Sequence, residues 1–253
     1  MKPDNKMETH RLEIQDLTVA YNRVPAVHHI SLSIPCGHSV ALLGPNGGGK
    51  TTLLKALAGL LPLETGVVRF HGHRMRGAGC EIAYLPQREN VDWDFPVTVR
   101  GLVEMGCYKR LGWWRKFGDE EQKNVSTALA AMELDDLAER QINALSGGQQ
   151  QRVFLARSLA QQAHVFLLDE PFAGLDRPSQ ETLARTLREL AAAGNLVVAS
   201  SHDLQNAPYL FDKILLLNGE LVAFGETAAV FNKENLQKTF ETRVFSGHEK
   251  VES

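Results

Sequence analysis

Long apolar runs are what this 253-residue chain lacks most plainly. No stretch approaches the roughly 18 consecutive apolar residues needed to cross a bilayer, so no transmembrane helix is predicted. The first ten residues, Met1 to His10, are polar and charged and contain no apolar core of a signal peptide, so no secretory leader is expected. Strong charge of either sign is missing too. The formal net charge is −3, which gives no global basic field to attract nucleic acid, and no nucleic-acid partner is expected. The three cysteines, Cys36, Cys80 and Cys107, are far apart and form no C-x-x-C pair. Neither a disulfide framework nor a zinc knuckle is indicated, which suits a reducing compartment. What remains is the composition of an ordinary globular protein, 43% hydrophobic and 23% charged, sufficient for one or two domains with a substantial core. If such a protein serves a membrane, it does so through a partner.

The chain is organised around Gly44-Pro45-Asn46-Gly47-Gly48-Gly49-Lys50-Thr51-Thr52. This fits G-x-x-x-x-G-K-[ST], a loop whose backbone N–H groups wrap a phosphate chain. The uncharged run Ser39–Leu43 before it predicts a strand. After it, Leu53, Leu54, Leu57, Leu60 and Leu61 recur at helical spacing. Strand, glycine loop and helix are the context the motif needs, with the positive end of the helix facing the anion. Lys50 reaches the outer phosphates and the Thr51 hydroxyl ligates Mg²⁺ in this reading. A nucleoside triphosphate is the predicted ligand.

Ahead of the loop, the alternation predicts short antiparallel strands at 12–14, 17–21 and 30–34, with a turn at Asn22-Arg23-Val24-Pro25. Tyr21, just past a strand end, is either a half-buried strand tyrosine or a face on which a base stacks. Beyond the first helix, residues 66–72 predict a strand entering a turn. The His71/His73 pair there has no third ligand nearby and reads as a solvated turn. Residues 82–85 predict a buried strand stopped by Pro86. That leaves Gln87 as the first polar side chain past a strand end, where open α/β sheets bind ligands. From Thr98 to Leu145 the pattern becomes helical, interrupted by a loop carrying Trp113 and Trp114, either a partner contact or hairpin packing.

Leu145-Ser146-Gly147-Gly148-Gln149 opens a further helix. Ser146 and Gln149 form a capping box, and the bare Gly147 and Gly148 suit close approach of a second anion. Val165–Leu168 predicts a central parallel strand buried on both faces, running into Asp169-Glu170-Pro171. Neighbouring strand side chains point to opposite sides, so one carboxylate reaches Mg²⁺ while the other faces water beyond the terminal phosphate. A helix over 178–193, a strand over 195–200 ending at His202, and a hairpin around Asn218-Gly219 complete the pattern. His202 reads as a phosphate contact in this company. A C-terminal helix and a loose tail follow.

Taken together, these motifs resemble the nucleotide-binding subunits of ATP-binding-cassette (ABC) transporters, from about Arg11 to Phe240. The distinctive element is Leu-Ser-Gly-Gly-Gln at 145–149, its serine 96 residues after Lys50 (146 − 50) and just ahead of the Asp169-Glu170 strand. The resemblance implies an α/β P-loop NTPase core of mostly parallel sheet flanked by helices, with an N-terminal antiparallel β subdomain and an inserted helical subdomain. One ATP-binding domain is expected over 11–243, its core at about 11–87 and 160–243 and its helical part at about 88–159, with flexible tails at 1–10 and 244–253. By the same resemblance Tyr21 stacks on adenine, and Gln87 meets Mg²⁺ and the attacking water. Asp169 holds Mg²⁺ through water, Glu170 is the general base, and His202 contacts the γ-phosphate. Ala173-Gly174-Leu175-Asp176 crosses a dimer interface, where Ser146 faces the γ-phosphate held by a second copy packed head-to-tail. Gly48 stands where alanine or serine is commoner, and Thr51 where serine is.

Within the family, Leu85–Val99, Met105-Gly106 and Arg110–Trp114 resemble importers of manganese, zinc or chelated iron. That implies ATP and Mg²⁺ as cofactors, transmembrane permease subunits and an extracytoplasmic metal-binding protein as partners, and a peripheral position on the cytoplasmic face of the inner membrane. A siderophore or cobalamin cargo is the alternative. Soluble repair and chromosome-organising relatives carry coiled coils or zinc modules between phosphate loop and signature, and this chain has neither.

Overall fold

The computed structural model describes residues 10–75, 81–87, 91, 93–111 and 116–240. Its centre is a six-stranded sheet in the order β10-β9-β3-β8-β7-β6. These strands are β3 (Ser39–Leu43), β6 (Ile82–Leu85), β7 (Val165–Leu168), β8 (Leu196–Ser201), β9 (Lys213–Asn218) and β10 (Glu220–Glu226). All neighbours pair in parallel except β9 and β10, which form the hairpin expected around Asn218-Gly219. Parallel strands need crossover connections, and the helices supply them. Four of the five parallel strands are buried almost throughout on both faces, and β3 and β7 among them are the uncharged runs expected to form strands.

Alternation along each strand divides the interior in two. Val40, Leu42, Val165, Leu167 and Val198 join α1 (Lys50–Leu57) and the N-terminal strands in one core. Ala41, Leu43, Phe166, Leu168 and Ala199 face the opposite core, with the later helices.

A second sheet, order β2-β1-β4-β5, is antiparallel throughout. It contains β1 (Arg11–Tyr21), β2 (Val24–Pro35), β4 (Thr65–Phe70) and β5 (His73–Arg74). The two short strands expected at 12–14 and 17–21 are a single strand. Its register is irregular between Ile14 and Leu17, where Asp16 takes φ +48, so an interrupted alternation marks a bulge and not a strand end. The turn is also shorter than expected. Only Asn22 and Arg23 turn, both at positive φ as a two-residue hairpin demands, while Val24 and Pro25 already pair with Tyr21 and Ala20. Proline is tolerated there because β2 is the edge strand.

Between β6 and β7 the chain forms α2 (Val99–Leu111), α3 (Asp119–Ala131) and α4 (Gly147–Ala160). Trp113 and Trp114 lie outside the described residues. At Gly106 of α2 the backbone of α4 comes very close. A Cβ there would stand 2.1 Å from the carbonyl oxygen of Arg157 in α4. The remaining helices are α5 (Arg177–Ala192), α6 (Ala207–Leu210), α7 (Thr227–Val230) and α8 (Lys233–Phe240). Because the obstacle at Gly106 is backbone, an added methyl forces α2 and α4 apart. Gly106→Ala is expected to destabilise the chain by about 1–3 kcal/mol, read as a lowered melting temperature in thermal unfolding.

Candidate nucleotide site

Leu43, Leu85, Leu168 and Ser201 end four parallel strands at one edge of the sheet. The residues just beyond them are Gly44, Gln87, Asp169-Glu170 and His202. Ligands of open parallel sheets bind at this carboxyl edge.

The phosphate loop is locked by backbone. The Gly48 N–H donates to Pro45 O at 3.1 Å, and the Gly219 N–H of the β9–β10 turn donates to Gly48 O at 3.0 Å. A Cβ at Gly44 would lie 2.0 Å from Leu217 O, so only glycine lets the loop leave β3 beside β9. Gly49 caps α1 at φ +91, a conformation that favours glycine. The first N–H groups of α1 have no intrahelical acceptor, so Lys50, Thr51 and Thr52 present donors together with the positive helix end. At Gly48, a Cβ would meet Pro45 O at 3.0 Å and Pro45 Cδ at 3.1 Å, so the glycine matches the tight local turn.

Lys50 is 6% exposed, and its Nζ donates to Gly44 O at 2.8 Å and Pro45 O at 3.0 Å. Burial lowers its pKa, and the charges of Glu170 and Asp169 partly offset that. Together with Ala26, Asn46, Gly47, Gly49, Thr51, Thr52, Gln87 and Glu170 it lines a cleft of about 440 Å³. Asp169 stands behind the cleft, 2% exposed. Its Oδ1 accepts the Ser200 hydroxyl at 2.7 Å, and its Oδ2 accepts the Tyr84 hydroxyl at 3.4 Å. Burial first, and then Asp169, pushes the Tyr84 pKa upward, so Tyr84 remains a neutral donor. The Glu170 N–H donates to Ser200 Oγ at 2.9 Å, and the Glu170 carboxylate lies 3.5 Å from Nδ1 of the exposed His202.

The other expected residues are elsewhere. Ser146 caps α4, accepting from the Gln149 N–H while its own N–H donates to Gln149 Oε1 at 2.9 Å. Ser146, Gly148 and Gln149 line a separate cleft of about 200 Å³ with Arg152, Pro178, Ser179, Thr182 and Leu183. The two clefts share no residue. Gly148 also has a packing reason, since a Cβ would lie 3.0 Å from Ser179 Oγ. Asp176 is the exposed residue ahead of α5, and Gln180 steadies its loop by donating to Phe172 O and Leu175 O. Tyr21, 48% exposed, ends β1 outside the set that lines the phosphate cleft. His71 stacks on Phe70 and edges His10, and burial is the main reason its pKa is lowered. Among the described residues, no three His, Cys, Asp or Glu side chains converge to hold a metal ion.

Sequence reasoning passed over Ser200 and Ala26. Ser200 stood out only as a hydroxyl near the end of an otherwise apolar strand, two residues before His202, with nothing in the sequence to say what it would touch. Ala26 had no signal.

Fold and loop together define a P-loop nucleotide-binding protein. The chain belongs to the ABC transporter family, whose model matches residues 27–173. The manganese transport system ATP-binding protein MntB of Bacillus subtilis is 43% identical over 240 residues, covering 95% of this chain and 96% of that protein. The zinc transport system ATP-binding protein TroB of Treponema pallidum is 42% identical, covering 93% and 88%. Among solved structures, an inward-facing transporter described as metal-chelate type is 28% identical at a TM-score of 0.79, covering 90% of this chain and 88% of that one. The chain is accordingly an ABC-type ATPase that binds and hydrolyses ATP.

Because the Gly44 contact is with backbone, it has no flexible way out. Gly44→Ala is expected to raise the ATP dissociation constant by at least about tenfold in a fluorescent-nucleotide titration, while helical content stays unchanged.

Proposed function

We propose that this chain is the ATP-hydrolysing subunit of a membrane ABC importer for a transition-metal ion, manganese or zinc foremost and iron next. The supporting observation for the cargo is near-full-length identity of about 42% to ATP-binding proteins of manganese and zinc transport systems. An ATPase subunit has no contact with the ion, so the cargo assignment rests on that similarity. The working unit is one ATP-binding domain over residues 11–243, with a helical subdomain at about 88–159. It sits on the cytoplasmic face of the membrane, against permease subunits served by an extracytoplasmic metal-binding protein. The side chains of Leu60, Tyr84, Phe154 and Arg157 line a small cleft, and Leu60 is 53% exposed. That surface supports a permease contact.

Hydrolysis follows from the residues at the sheet edge. Gly44 to Thr52 wrap the phosphates, and Lys50 leaves its carbonyl partners to meet the outer ones. Tyr21 supplies a stacking face for adenine. Thr51, Gln87 and Asp169 offer only oxygen donors, the set a hard cation such as Mg²⁺ requires. Bound there, Mg²⁺ neutralises charge on the phosphate oxygens. Glu170 accepts a proton from the water that attacks the γ-phosphorus in line, and ADP departs as the P–O bond breaks. His202 contacts the γ-phosphate and steadies the Glu170 carboxylate.

The separation of the two clefts carries the remainder. Ser146, Gly147, Gly148 and Gln149 do not line the phosphate cleft of their own chain. A head-to-tail second copy brings its signature helix, with Asp176 nearby, over the ATP. Closing and reopening then drives the permease.

Glu170→Gln keeps the geometry and removes the base. It is expected to retain ATP binding, lower turnover by at least about a hundredfold and accumulate an ATP-bound dimer on size exclusion. Cells lacking this subunit are expected to lose manganese or zinc uptake, measured by elemental analysis. Equal accumulation of manganese, zinc and iron with and without it would remove the metal assignment.

A further inference from the structure

Ser200 carries none of the hydrolytic chemistry itself, yet it touches both acidic residues of the site. It is fully buried, on a strand that is otherwise apolar from Leu196 to Ala199. Leu168 of β7 pairs with Ala199 of β8, which brings Ser200 level with Asp169. The serine proton goes to Asp169 Oδ1 at 2.7 Å, and the oxygen accepts the Glu170 N–H at 2.9 Å. A carboxylate can only accept, so the direction of this relay is fixed. A hydroxyl in such a place is costly unless both its donor and acceptor capacities are used, and here they are.

Glu170 needs such an anchor. Its φ is +51, a region that non-glycine side chains disfavour. Backbone of that kind persists only where its surroundings hold it, and it gathers at functional sites. The turn at Glu170 swings the chain out of β7 so that Asp169 stays behind the cleft while Glu170 lines it. The side chain of Glu170 is held at its other end by His202 Nδ1, 3.5 Å away. β8 and the residue just past it therefore grip Glu170 twice, at the backbone through Ser200 and at the carboxylate through His202.

We propose that Ser200 is a positioning residue for hydrolysis, a single hydroxyl that fixes the Asp169 carboxylate and the strained turn at Glu170 together. This rests on the reading of Glu170 as the base. Without the hydroxyl, the Glu170 N–H loses its acceptor, Asp169 loses a donor, and the turn relaxes. The carboxylate then leaves the line of attack. The phosphate loop, Lys50 and Thr51 are untouched, so ATP still binds.

Ser200→Ala removes the hydroxyl. Ser200→Thr keeps it, and Ser200→Val matches threonine in shape without it, so the Thr/Val pair isolates the hydroxyl even if alanine impairs folding. Turnover and KM are measured on the purified full-length chain, alongside nucleotide affinity by fluorescent ATP analogue and dimer content by size exclusion with ATP and Mg²⁺. The expected result is a kcat lowered about 10–100-fold in Ala and Val, with KM and nucleotide affinity within about threefold and an ATP-bound dimer that accumulates as in Glu170→Gln. Thr is expected within about threefold of the parent in kcat. Parent-like turnover in Val, or losses of kcat and affinity in equal measure in Val but not in Thr, would overturn the role of Ser200. Glu170→Gln measured beside them separates the two claims. If it is inactive while Val is fully active, only the positioning role fails. If it hydrolyses at the parent rate, the assignment of the base fails and takes the positioning role with it.

Discussion

Parallel pairing of β3, β8, β7 and β6 is the constraint on which everything else depends. Because the strands run the same way and end at nearly the same level, their carboxyl ends deliver Gly44, Gln87, Asp169-Glu170 and His202 to one edge. No two of these segments are close in sequence. β7 is apolar on both faces, so a slip of one residue would exchange one buried apolar set for another at modest cost. What a slip would break is polar: the Ser200 bond to Asp169 and the bond from the Glu170 N–H. The Ser200 hydroxyl thus ties the site geometry to the strand register.

The site concentrates charge where water is scarce. Lys50 and Asp169 are both almost fully buried, a placement tolerated only with hydrogen-bond partners. Lys50 finds two loop carbonyls and Asp169 finds two hydroxyls. The backbone is tight in the same places. Gly44 touches Leu217, Gly49 stands at φ +91, and Glu170 is at φ +51. Such features cost stability and are offset by the two large apolar cores on either face of the sheet.

Much of this was legible in the sequence, for identifiable reasons. A glycine loop with Lys-Thr between an uncharged strand and a leucine-periodic helix suits little else than a phosphate chain, and the two-sided apolar run before Asp169-Glu170 marked a central strand. The fold class followed from those patterns and from the resemblance to ABC subunits. Local geometry was less legible. A bulge at Asp16 and a strand that ends at one residue look alike in an alternating pattern, and Pro25 looks like a turn unless β2 is known to be an edge. Ser200 was hidden because its meaning depends on a strand pairing across 31 residues of sequence. The glycines of Gly147-Gly148 suggested an anion, yet packing against Ser179 accounts for one of them.

The phosphate cleft and the cleft at Ser146 have no residue in common, and under the proposed function each supplies part of one nucleotide site, so that the single chain is incomplete by itself. In the proposed assembly two copies complete each other, the phosphate loop of one closing on Ser146 of the other. Mixing two inactive variants tests this most directly. Lys50→Ala destroys the phosphate loop, Ser146→Arg destroys the signature, and a mixed dimer keeps one whole site. Equal amounts, allowed to exchange subunits, are predicted to recover roughly a quarter of parental ATP turnover, since half the dimers are mixed and each has one of two sites intact. A mixture no more active than either variant alone would contradict the composite site.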